Sequence, residues 1–170
     1  MMKQLTVPAK EEEIKDLKAG DMVELTGYIY TGRDAVLPKL VKLFEEGKLE
    51  DAGLDLRGSV IFHTAVSPAG IGPTSSNKVE IEGNIPALSR AGVKIHLGKG
   101  ALKPETVEEL KRLNAVYAVV PPVTALLGSR MKSVKVAAFP EEGMEAFHLL
   151  KVERFPAIIA AAQGTSIYSR

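Results

Sequence analysis

Three short segments of the chain set a cation close to glycine: Thr31-Gly32-Arg33-Asp34, Gly72-Pro73-Thr74-Ser75-Ser76-Asn77-Lys78 and Gly98-Lys99-Gly100. Glycine beside a cation lets backbone N–H groups come close to an anion, because no Cβ stands in the way. An arginine at a helix entrance adds the field of the helix N-terminus. A small dicarboxylate suits such a set, with Arg33, Lys78 and Lys99 as cations and Asp34, Gly72, Ser75, Gly98 and Gly100 shaping the turns. Each segment also has a plainer use. Gly-Lys-Gly serves as an ordinary turn with a solvated lysine, and Arg33-Asp34 as a surface ion pair worth little.

Other motifs fail on their chemistry. Gly27 and Gly32 have the spacing of the first two glycines of a phosphate-binding loop, but Arg33-Asp34 occupy the Lys and Ser/Thr positions, and a carboxylate there repels phosphate. Gly70-Ile71-Gly72 begins like a dinucleotide fingerprint, yet Pro73 follows at once and Ser75 replaces the third glycine. His63, His96 and His148 are too scattered for a helical metal motif, and His63 and His96 read as hydrogen-bonded core histidines in strands.

The elements that must position the three loops alternate between strand and helix. Met22 to Tyr30 reads as a strand or a pair of short strands broken near Gly27 and entered through a turn at Gly20-Asp21. Val36, Leu40, Leu43 and Phe44 then fall on one helix face, with Asp34 as N-cap, Pro38 in the first turn and Gly47 as the stop. Ser59 to Ala65 reads as a short buried strand, and Ser67 to Ser76 as a long loop without regular structure. A helix from about Lys78 to Ala91 and a strand from Val93 to Leu97 follow, then a helix from Lys103 to Leu113 opened by Pro104. Ala115 to Val120 and Val134 to Phe139 read as strands flanking a helix through Ala125, Leu126 and Leu127; Phe147 to Val152 and Ala157 to Ala161 read as two closing strands around Pro156. The class is α/β, and residues 1–170 are expected to form one domain. In such sheets ligands bind in the loops beyond strand ends.

With 22 basic and 21 acidic residues the net charge is +1, so the chain has no electrostatic footprint for nucleic acid or an anionic membrane. Whatever anion it binds must be gripped locally. The absence of cysteine removes disulfides, thiolate nucleophiles, cysteine-held zinc and any self-held iron–sulfur cluster. Met1 to Ala19 carries the charged run Lys10 to Glu13 without an apolar signal-type stretch, and no segment approaches membrane-spanning length, so the cytoplasm is the expected compartment.

Read in order, Gly20-Asp21, Gly27, Thr31-Gly32-Arg33-Asp34, Gly72-Pro73-Thr74-Ser75-Ser76, Gly98-Lys99-Gly100 and Gly143-Met144-Glu145-Ala146 resemble the ordered motifs of the class I fumarase and tartrate dehydratase beta subunit, over about residues 20–160. The resemblance implies a swivelling β/β/α domain that closes over a partner alpha subunit. That partner would hold a four-iron, four-sulfur cluster, and this chain would bind no metal. Water would be added across a carbon–carbon double bond. It implies further that Arg33 and Lys99 bind substrate carboxylates and that Thr74 takes part in proton transfer at the reacting carbon; the plainer use of Thr74 is a loop-bracing hydroxyl. Lys78 stands where the family usually has arginine, and Leu37 replaces a histidine common two residues after the Arg-Asp-Ala run. A lysine ammonium lacks the planar two-donor fork of guanidinium.

The expected activity is therefore fumarate–malate interconversion, with L-tartrate dehydration as the close alternative and a non-catalytic carboxylate-binding or regulatory module as the alternative of another class. A mobile domain that must dock on a partner is also expected to leave an apolar or mixed surface exposed, with self-association of the isolated chain as a consequence.

Overall fold

The structure is a computed structural model that describes residues 2–67, 70–74, 78–120 and 130–168, with 67, 70–74 and 78–81 described by their backbone. Alternation along β2 (Met22–Thr31) turns Val23, Leu25 and Ile29 into the core. On one edge β2 runs parallel to β1 (Met2–Val7) and, at its last two residues, to β3 (Val60–Phe62). Gly27 is required where β1 and β2 meet. It sits at φ +130°, and a Cβ there would stand 2.1 Å from the Val7 carbonyl oxygen.

From β3 the sheet continues in parallel through β6 (Ile95–Gly98) and β7 (Val116–Val119). The long β9 (Phe147–Ala162) then pairs antiparallel with β7 and also with the free edge of β2, which closes the strands on themselves. Inside the closure lie Val23, Leu25, Ile29, Phe62, Leu97, Ala118, Phe155 and Ile159, with Phe62 and Phe155 meeting edge to face at 5.8 Å. β8 (Met131–Ala138) pairs with the outer edge of β9, and β10 (Thr165–Ser166) with its end. β4 (Thr64–Ser67) and β5 (Gly70–Thr74) form a separate hairpin beyond the end of β3.

A short helix α1 (Glu11–Lys15) follows β1. Helices α2 (Leu37–Glu45), α3 (Lys78–Arg90) and α4 (Pro104–Arg112) connect β2 to β3, β3 to β6 and β6 to β7. Their apolar faces cover the outside of the closed sheet. Leu37, Leu40, Ile61, Leu88 and Phe147 form one cluster, and Ile85, Val107, Leu110, Tyr117 and Ala160 another. Burying an aliphatic or Phe side chain of this kind stabilises by about 1.5–3 kcal/mol. Because each helix joins two parallel neighbours, all three start at the edge of the sheet where β2, β3 and β6 end.

Several expectations change. The N-cap of α2 is Val36, not Asp34, and no described side chain caps it; the Arg33 carbonyl accepts the Val36 and Leu37 N–H groups at 3.1 and 2.9 Å, so a turn precedes the helix. Part of the segment expected as an irregular loop is β5, because its backbone finds a partner in β4. The two closing strands are one. Pro156 lies opposite Glu24 of β2, and on its other edge it falls in the gap between the residues paired with β8 and with β7, the kind of place where a missing N–H costs least. The expected helix through Ala125 to Leu127 lies outside the described residues.

Candidate functional site

Register decides where the cations go. Thr31 pairs with Phe62, Phe62 with Leu97, and Gly98 with Val119, so β2, β3, β6 and β7 end on nearly the same rung. Gly32 and Gly98, each one residue before its cation, are two strand spacings apart, about 10 Å. A four-carbon diacid spans about 4 Å between its carboxyl carbons, and Arg and Lys side chains can cover the remainder. Thr74 pairs with Thr64, two residues past the end of β3, which puts its backbone at the same edge as the exits of β2 and β6. Lys78 opens α3, Gly72 lies in β5, and Ser75 is outside the described residues.

The electrostatics of this edge favour an anion. α2, α3 and α4 turn their N-termini toward it, and Lys99 is exposed at the turn after β6. Gly98 is buried tightly beneath that turn: a Cβ would meet Tyr117 Oη at 2.9 Å and His63 Nδ1 at 3.2 Å. The glycine therefore lets the strand end rest on these two side chains.

Among the described residues, the carboxylate that Arg33 bonds is that of Glu145 rather than that of its neighbour Asp34. The guanidinium reaches across 112 residues to Glu145, with Nε donating to Oε1 at 3.0 Å and Nη2 to Oε2. Hydrogen bonding to Glu145 pushes the guanidinium above its already high ordinary pKa, with a smaller contribution from Asp34. Glu145 ends the 3₁₀ segment Pro140–Glu145, which sequence reasoning picked out through Gly143-Met144-Glu145-Ala146 without giving the carboxylate a role. The signal was there: an acid inside a motif of otherwise structural residues.

His63 and His96 behave as core histidines. Both are buried, with ring centroids 6.2 Å apart. His96 Nε2 shares a hydrogen bond with Ser89 Oγ at 2.8 Å, whereas His63 Nε2 and His96 Nδ1 have no hydrogen-bond partner among the described residues. Burial pushes His63 down to about 3 and His96 well below the ordinary imidazole range. Both are neutral near pH 7. His148, also buried, bonds the Ala146 carbonyl through Nδ1 at 2.9 Å. Among the described residues no group of His, Asp or Glu could hold a metal ion, and the chain has no thiolate to offer a cluster.

A model of the Fumarase C-terminus family matches residues 2–170. The chain belongs to that family. It is 29% identical over 173 residues to the L(+)-tartrate dehydratase subunit beta of Escherichia coli K12, covering 95% of this chain and 83% of that protein. It is 33% identical to the "Putative L(+)-tartrate dehydratase subunit beta" of Methanocaldococcus jannaschii, covering 93% and 87%. The "Putative fumarate hydratase class I" of Geobacillus stearothermophilus is 30% identical over 96% of this chain, which spans only 33% of that longer protein. The family match thus extends beyond residues 20–160 to include β1 and β10. Fumarase C-terminus relatives therefore occur both as a separate subunit and within a longer chain.

On the flank next to Glu145, Val134 and Val136 of β8 and Met144 are 45%, 49% and 56% exposed. With Val66, Gly143 and His148 they border a shallow groove of ≈ 370 Å³. This is the exposed apolar or mixed surface expected from the sequence. No described helix is long and apolar enough to cross a membrane.

Proposed function

We propose that this chain, with residues 1–170 acting as one domain, is the beta subunit of a two-subunit hydro-lyase that interconverts fumarate and malate in the cytoplasm. The observation that carries the reading is the meeting of the β2, β5 and β6 ends, with Arg33, Thr74 and Lys99, on one edge of the sheet in a member of the Fumarase C-terminus family. Removing a proton next to a carboxylate builds an enediolate-like dianion on a substrate that already carries a second carboxylate. Negative charge grows toward the transition state, and fixed cations stabilise that growth. Each close charge pair contributes on the order of 4 kcal/mol gross at an effective dielectric of about 20, before desolvation is subtracted. In this reading Arg33 and Lys99 hold the two carboxylates, Lys78 adds a third charge without a planar fork, and Thr74 moves the proton at carbon.

The donor set of this chain does not fit a thiolate-held cluster, so its contribution is confined to its own cations, hydroxyl and helix N-termini. The leaving hydroxyl falls to the alpha subunit, whose iron–sulfur cluster would supply a Lewis-acidic iron when present. Docking on the face bearing Val134, Val136 and Met144 would exclude water from the cations and strengthen them. Left uncovered, the same face would promote self-association.

L-tartrate is the second reading, favoured by the names of the relatives that match this chain as a separate beta subunit. Reconstitution with the alpha subunit and comparison of malate with L-tartrate turnover separates the two. Arg33→Ala and Lys99→Ala are each expected to lower kcat/KM by about 10² or more. Unchanged turnover in both would leave a carboxylate-binding module rather than an enzyme subunit.

A further inference from the structure

We infer that Glu145 is a positioning residue for Arg33: it fixes the plane of the guanidinium at the sheet edge, so that a substrate carboxylate meets one orientation of it. The inference rests on the reading of Arg33 as a carboxylate ligand. The contact is a side-on fork that uses Nε and Nη2, two of the five N–H donors of the side chain. Both partners are about a quarter exposed, 24% for Arg33 and 26% for Glu145, so the pair is sheltered but lies within reach of a ligand.

The segment that carries Glu145 is braced on both sides of it. Lys39 of α2 bonds Glu142 at 3.0 Å and Glu141 at 3.4 Å, and its ammonium stands 5.3 Å from the centre of the Phe139 ring. Just after Glu145, Phe147 stacks on Tyr30 of β2 at 4.5 Å. Gly32 admits this packing, since a Cβ there would lie 2.8 Å from Val36 Cγ2 and 3.2 Å from Phe147 Cδ1. The residue before Arg33 is thus shaped to receive the residues after Glu145. Such bracing exceeds what a surface ion pair needs, and it pre-organises a long, rotamer-rich side chain before a ligand arrives.

Charge and orientation predict opposite outcomes, which makes the inference testable. Glu145 offsets part of the positive charge of Arg33, so Coulomb attraction alone says that Glu145→Gln should tighten binding of a dianion. If orientation dominates, the same variant should weaken it. In the enzyme reconstituted with its alpha subunit, Glu145→Gln is expected to raise KM for the dicarboxylate about tenfold while the melting temperature stays within a few degrees of wild type. Added to Arg33→Ala it should cause no further loss, because both act on one contact. An unchanged or lowered KM, or a full additional loss in the double variant, overturns the inference. Nitrogen-15 NMR of the isolated chain separates this from failure of the functional reading. A slowly exchanging Arg33 Nε–H signal, absent in Glu145→Gln, is expected whether or not the complex turns over malate or tartrate. Its absence in wild type overturns the positioning role by itself, whereas its presence with no turnover of any four-carbon dicarboxylate overturns the proposed function instead.

Discussion

Acid should destabilise this protein in a window that belongs to its buried histidines. His63 and His96 are neutral in the folded state, with His63 pushed down to about 3 and His96 well below the usual range, both mainly by burial. In the unfolded chain both protonate near pH 6.5. Their contribution is therefore complete above about pH 6.5 and is lost progressively as pH falls toward the folded value, because the unfolded state then binds more protons. One pKa unit corresponds to about 1.4 kcal/mol, so at pH 5 each histidine costs about 2 kcal/mol and the pair about 4. Against a typical stability of about 5–15 kcal/mol this is a large fraction. The carboxylates held low by partners, Glu11, Asp21 and Asp55, lose their contribution only as pH falls below their unfolded values of about 4–4.5, so they change little between pH 7.5 and 5.0. Urea unfolding of the full chain at pH 7.5 and 5.0 measures the difference. His63→Gln with His96→Gln should remove most of the slope whatever it does to absolute stability. A wild-type loss below about 1 kcal/mol, or a double variant that keeps the full slope, would refute the assignment of both imidazoles as neutral and buried.

Two further outcomes follow from packing. Gly98→Ala should destabilise by about 1–3 kcal/mol and shift the Lys99 turn, as its methyl would lie 2.9 Å from Tyr117 Oη; Tyr117→Phe should recover only part of this, since Cε1 is also within 3.1 Å. Thermal melting of the single and double variants checks it, and a wild-type melt for Gly98→Ala would contradict the packing. Phe62→Ala opens a cavity opposite Phe155 inside the closed sheet and should cost about 3–5 kcal/mol by urea unfolding; a loss under 1 kcal/mol would mean the interior collapses around the gap.

The amino-acid sequence determined what is local. Glycine beside Arg33 and Lys99, Pro104 opening α4, Pro38 in the first turn of α2 and Gly47 at φ +69° beyond its end all follow from conformational preference within a few residues. Three cations in loops after strands were legible for the same reason. Tertiary structure decided which groups face each other. Whether Arg33 pairs with adjacent Asp34 or with Glu145, 112 residues away, depends on how β9 docks against β2, and nothing near Arg33 encodes that docking. The continuity of β9 through Pro156 and the closure of the sheet likewise depend on edges supplied by distant strands. β5 looks irregular by composition and becomes a strand only because β4 satisfies its backbone. Local propensity sets the torsions, whereas the partner of a hydrogen bond or a charge is fixed only when the chain has folded back on itself.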